Sequence, residues 1–363
     1  MPIEDIARSM RMRMPWPVGQ KILRVLNLSR GQGWEQTVEK ITLADISAEK
    51  LENLNEALRE HLLCGEKSVR FYDVGQIAAD ACGKFAAVAT IANDSPFVGV
   101  YPSILPEGSL AGLPAEPTLT AIEEDEVGTA FVFCSVRTII VREPLSPEDF
   151  PDHAADDLFE SFDEIIGLKN KRLQAVDVVW VPKASGRADV RIDYPAGMTR
   201  EVAEAAHLIL RNTFNTLVGQ PILGDPINLF PLIDRMYFDP TEGSVVEIGF
   251  GTTTASVKHE KMRRKGLNLR TESYHVGGKA NLQTPIEPFR VSLVWSRAIG
   301  NNKLSTPELS LNSSSRVAGS ASPAMHSVLI RRCMGASDYA FVRSKIEHHL
   351  NQPPAVGADK EAE

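Results

Sequence analysis

The sequence predicts an α+β protein: a helical N-terminal region followed by a largely antiparallel β-sheet with packed helices. Three observations carry that expectation. A leucine stripe at helical spacing lies near residue 50, and strand-like segments rich in aromatic and β-branched residues neighbour one another after residue 128 instead of alternating with crossover helices. A Ser185-Gly186 turn signal joins two of those segments.

The chain opens with Arg8, Arg11, Arg13, Lys21, Arg24 and Arg30 and has no acid between Asp5 and Glu35, while Met10, Met12, Met14 and Trp16 alternate with the first cations. A period of two reads as an extended first strand or terminal arm. Residues 47–63 read as helix, because Ser47 can cap it and Leu51, Leu54, Leu58 and Leu62 recur on one face. Residues 76–92, alanine-rich around Gly83, fit helix and buried strand equally. Residues 101–126 contain Pro102, Pro106, Pro114 and Pro117 and end in four acids, a linker or loop composition.

Residues 129–142 are strand by their Phe131, Val132, Phe133, Val136, Ile139, Ile140 and Val141. Residues 150–168 read as an amphipathic helix whose polar face is almost wholly acidic. Residues 175–181 and 188–194 form a hairpin around Ser185-Gly186. A Thr199-capped helix follows, with Val202, Ala205, Ala206, Ile209, Thr213 and Leu217 inward and Gly219 and Pro221 ending it. Further strands are expected at 244–259, 267–276, 289–295 and 326–332, with a closing helix at 337–350. The seven serines of 301–324 predict a long polar loop. The chain thus divides into a helix-rich part (1–100), a proline-rich linker or loop (101–126), an α+β domain (127–350) and a disordered tail (351–363).

Composition excludes several classes. With 363 residues and 43% hydrophobic content the chain can bury an ordinary core. Cys64, Cys82, Cys134 and Cys333 show no C-x-x-C spacing and are expected as reduced thiols. No apolar run approaches the ~20 residues of a membrane span, and Glu4 and Asp5 interrupt any secretory leader, so a cytoplasmic protein without a membrane partner is expected.

Nor does a linear motif fix an activity, and no cofactor or metal is implied. Gly278-Lys279 is followed by Ala280, so the phosphate-cradling G-x-x-x-x-G-K-[ST] loop is missing. Gly249-Phe250-Gly251 lacks the third glycine of a dinucleotide fingerprint and lies in a strand-like run. The nucleophile elbow G-x-S-x-G and the zinc motif H-E-x-x-H do not occur. Ser47-Ala48-Glu49-Lys50 fits S-x-x-K, yet Ser47 already serves as a helix cap.

The net charge of −8 conceals a split: residues 1–75 are balanced, 76–164 hold 3 bases against 17 acids, and 165–363 hold 25 against 19. The densest basic run is Lys258, Lys261, Arg263, Arg264, Lys265 and Arg270, set around one acid, Glu260, between two predicted strands. A projecting hairpin tip of that kind could lie across phosphates, with Tyr274, His275 and Gly277-Gly278-Lys279 offering a stacking surface, backbone amides and a further cation.

Three functions follow. The first is a prokaryotic accessory or regulatory protein that contacts DNA or RNA through this hairpin. The second is a structural or assembly subunit, in a homo-oligomer or protein complex, whose acidic 143–164 segment docks on a basic neighbour. The third is an enzyme without a linear motif, using His259 and His275 on facing strands with Glu247 nearby.

Overall fold

The computed structural model describes residues 2–92, 94–151, 156–252, 256–264, 266–300 and 303–352. Four helices open the chain: α1 (Ile3–Arg13), α2 (Trp16–Val25), α3 (Trp34–Thr42) and α4 (Ala48–Cys64). The extended arm expected at the N-terminus is therefore corrected to helix. Ile6, Ala7 and Met10 bury one face of α1 while Met12 turns outward, so the 3.6-residue period overrides the alternation of the methionines. In α4 the Ser47 hydroxyl accepts from the Lys50 amide, and Leu54, Leu58 and Leu62 are buried.

Next come β1 (Lys67–Val74) and α5 (Gln76–Val88), which resolves the alanine-rich stretch as helix, then α6 (Pro96–Val100). The proline-rich segment ends in a strand, β2 (Thr118–Glu124), paired with β3 (Gly128–Leu145). The long acidic helix is corrected. Helix α7 covers Asp156–Ser161, and by Ile165 the chain has entered β4 (Ile165–Pro182), which pairs with β3 along its whole length, from Gly128 opposite Pro182 to Leu145 opposite Ile165. Cross-strand pairing of Arg142 to Leu145 with Leu168 to Ile165 outweighs the helical pattern there.

The hairpin to β5 (Gly186–Asp193) and the Thr199-capped α8 (Arg200–Val218) form as expected, with Gly219 left-handed at φ 80°. The buried face of α8 differs from the expected one. Ala203, Ala206, His207, Leu210 and Phe214 face inward, while Ile209 and Leu217 are exposed, because Phe214 seats between Phe131 and Phe133 of β3.

The remaining elements are α9 (Leu232–Phe238), β6 (Ser244–Gly251), β7 (Val257–Lys261), α10 (Ser273–Ala280), β8 (Glu287–Val294), β9 (Arg297–Ala298), β10 (Leu304–Ser305), β11 (Glu308–Asn312), α11 (Ser315–Ala318), β12 (Val328–Arg331) and α12 (Ala336–Asn351). Two more expectations change here. Residues 267–276 form a short 3-10 turn and α10 instead of a strand, because the Asn268 and Glu272 side chains cap the amides of Arg270 and His275. The serine-rich loop contains β11, whose Leu309 and Leu311 are fully buried between polar neighbours. The tail beyond Gln352 lies outside the described residues.

Ten strands make one antiparallel sheet in the order β2-β3-β4-β5-β1-β12-β11-β8-β6-β7. One face carries the larger core, built with α1 to α4, α9 and α12; on the other, α5 and α8 cover the β3-β4-β5 end. Arg13 of α1 and Lys67 of β1 converge on the buried carboxylate of Asp193 and, against the cost of burial, hold it below the usual aspartate range. Among the described residues neither α5 nor α8 packs over this second face beyond β12, and that half positions the site.

Candidate nucleic-acid interface

Strand alternation decides what that half displays. Ile330 and Val328 of β12, Leu309 and Leu311 of β11, Val291 and Leu293 of β8 and Ile248 of β6 point into the large core. Their neighbours Arg331, Glu308, Ser310, Asn312, Arg290, Ser292 and Glu247 therefore occupy the opposite face. With Lys261, Arg263, Arg264 and Arg332 they line a cleft of about 470 Å³. Six cations stand there against two carboxylates.

The acids are shared. Glu247 lies 3.1 Å from Lys261 and 3.5 Å from Arg290, and Glu308 lies 3.0 Å from Arg332. Arg263 and Arg264 are exposed and have no ion-pair partner among the described residues. A second cleft, about 220 Å³, continues from Arg290, Ser310 and Asn312 toward Arg200 and Tyr194. A third, of about 580 Å³, shares Arg331 and Tyr194 and adds Lys171 and Arg172. The basic surface is thus a track across the sheet. Beside its start, Tyr274 is 78% exposed on the wall that Arg263 and Arg264 also line, a ring available for stacking.

The basic segment read from the sequence is only partly assembled on this track. Lys258 and Lys261 lie on the edge strand β7, Arg263 and Arg264 follow it, and Lys265 lies outside the described residues. Since no strand follows β7 directly, the projecting hairpin tip expected here is corrected to an edge strand leading into a capped turn. Arg270 turns inward. Its guanidinium donates to the carbonyls of Tyr237, Glu242, Gly243 and Met236 at 2.5 to 3.0 Å. Lys279 donates to the Tyr237 hydroxyl at 2.8 Å, and burial lowers its ammonium below the usual lysine value.

The facing-strand histidine pair is also corrected. His275 is on α10, buried, with one ring nitrogen 2.7 Å from the Tyr237 hydroxyl and the other 2.6 Å from the Glu260 carboxylate. His259 packs its ring on Phe289, on the other side of β7 from Glu260. The Glu260, His275, Tyr237 and Lys279 hydrogen bonds thus tie β7, α9 and α10 together, and burial pushes the Tyr237 phenol up to about 12.

Two other polar clusters are tied into the fold, although each leaves one buried imidazole nitrogen, Nδ1 of His207 and Nδ1 of His349, without a hydrogen-bond partner. Ser68 lies 3.0 Å from His207, whose imidazole burial keeps neutral. Asp239, Glu242 and His349 place their ligand atoms within 4.8 Å of one another, but Lys345 and Trp295 already donate to Glu242. The four thiols are free and buried, and burial raises them, Cys134 to about 11.

Arg200, Arg290, Arg331 and Arg332 are the track residues that reading the basic run alone overlooks. Arg290 and Ser292 alternate with Val291 and Leu293, and Arg331 alternates with Ile330, so an expected strand with one cationic face was the available signal. Comparison with protein-family models, curated proteins and solved structures gives no match. Among the described residues no helix is long and apolar enough to cross a membrane.

Proposed function

We propose that this protein is a nucleic-acid-associated accessory or regulatory protein of a prokaryotic cytoplasm that lays the phosphate backbone of DNA or RNA along the basic half-sheet. The observation that carries the reading is the concentration of six cations on the polar sheet face that α5 and α8 leave uncovered among the described residues. A sheet face is broad enough to take several consecutive phosphates, and Asn312 supplies a neutral donor beside the cations.

Single strands are the preferred class. Tyr274 stands exposed beside Arg263 and Arg264, the pairing of ring and cation that stacks an unpaired base next to its phosphate. Lys261, Arg263 and Arg264 begin the path, and Arg290, Arg331 and Arg332 continue it, while Lys258, opposite Phe250, lies on the other face of β7 and drops out of the expected set. The test is binding of labelled single- and double-stranded DNA and RNA to wild type and to an Arg290→Glu/Arg331→Glu variant. Tight binding by wild type with loss in the variant supports the site; equal affinity of the two removes it.

A further inference from the structure

The paired strands β3 and β4 outrun the rest of the sheet. From Val136 to Leu145 and from Ile165 to Arg172 they form a largely exposed two-stranded ribbon, ten residues or about 30 Å long at ~3.3 Å per residue. Directly opposed residues share a face, so Ile140, Arg142, Pro144, Ile166, Leu168 and Asn170 lie together. On that face Ile140 is 57% exposed, Ile166 47% and Leu168 69%, and at the tip Leu158 and Phe162 add 49% and 59%. Five large apolar side chains in water on one projection form a patch that scattered surface residues do not explain. The same tip exposes Glu143, Glu148, Asp157, Glu160, Asp163 and Glu164.

We infer that the ribbon tip of one copy docks on the basic half-sheet of a second copy, its acids facing the cationic cleft and its apolar edge covered by the contact. Charge complementarity selects this occupant. The cleft carries six cations against two acids, and the tip carries the six acids just named. The tip does not reach its own cleft. The nearest cleft strand, β12, is three strand steps from β4, about 14 Å at ~4.8 Å each, and the ribbon carries its tip away along the strands, not across them. No hydrogen bond or ion pair among the described residues joins 143–164 to the cleft. The contact uses the surface assigned above to nucleic acid but needs no nucleic acid to form.

The test uses full-length protein with nucleic acid removed. One chain carries Glu164→Cys at the tip, another Asn312→Cys in the cleft, and the two are mixed with a short bismaleimide; the native thiols are buried and contribute little background. The expected result is an intermolecular crosslink in the mixture. It is weakened at least tenfold by added Ile166→Ser/Leu168→Ser, and light scattering shows a dimer or larger at about 50 mM salt that loosens as salt rises. A monomer at every concentration and salt, or an oligomer without the tip-to-cleft crosslink, overturns the proposal. Neither result bears on nucleic-acid binding, which is measured separately.

Discussion

Replacing Arg270 with alanine tests whether this cation belongs to the fold or to the interface. Its guanidinium spans four backbone carbonyls, of Met236, Tyr237, Glu242 and Gly243, where the end of α9 meets the start of β6. Hydrogen bonds from a charged donor contribute about 1.5 to 3 kcal/mol each, and an acceptor left buried without a partner costs about 1 to 3 kcal/mol. The side chain is only partly buried, and water can replace some of the lost donors, so the four do not add in full. With two to three of the carbonyls left unserved at the lower part of that range, the expected loss is about 3 to 5 kcal/mol. Urea denaturation followed by circular dichroism reads it directly, and nucleic-acid affinity measured under folding conditions stays within about twofold of wild type. A loss of stability under about 1 kcal/mol together with a large loss of binding would refute the reasoning and return Arg270 to the interface.

Other outcomes follow from the same geometry. Arg263→Ala/Arg264→Ala removes two exposed cations, and the slope of log affinity against log salt should shallow by about 1.4 for single strands, at ~0.7 per phosphate contact; an unchanged slope excludes both as phosphate contacts. Phe214→Ala empties the seat between Phe131 and Phe133 and should cost about 3 to 5 kcal/mol in chemical denaturation, whereas Ile209→Ala on the exposed face of α8 should cost under about 1. Burial pulls the His61 imidazole from 6.5 down to about 4, so the unfolded chain binds the extra proton between those values. Stability from this group is therefore present above pH 6.5 and lost as pH falls toward 4, by up to about 3 kcal/mol. His207 acts in the same direction, while Glu60 and Glu66, raised by burial, oppose both. His61→Asn should flatten the fall in stability between pH 7 and 4; an unaltered profile rejects the assignment.

The fold class was legible because its strongest signals are local. Ser47 before a leucine stripe, Ser185-Gly186 between two β-branched runs and Thr199 before an apolar helix each settle within a few residues, and the structure keeps all three. The misread segments are those where two periods compete or a distant partner decides. The N-terminal methionines satisfy both two- and 3.6-residue spacings, and packing of Ile6 and Met10 selects the helix. Residues 165–168 become strand because β3 lies opposite them, and the Leu-Ser-Leu alternation of β11 is hidden by the surrounding serines.

The cationic track was half visible for a related reason. Lys261, Arg263 and Arg264 are close in sequence and stood out, while Arg290, Arg331 and Arg332 reach the same cleft only through the order β12-β11-β8-β6-β7. Charge density along the chain could not separate Arg270, which faces carbonyls, from Arg264, which faces solvent. That distinction depends on where α9 ends and β6 begins.

The central claim is that the basic half-sheet binds a phosphate backbone, and a salt titration of wild-type binding to labelled single-stranded DNA or RNA tests it most directly. Four net cations in the cleft predict a slope near −2.8 at ~0.7 per contact, so raising salt from about 50 to about 200 mM should weaken binding roughly fiftyfold. Absence of binding at the lower salt, or an affinity indifferent to salt, would contradict the claim.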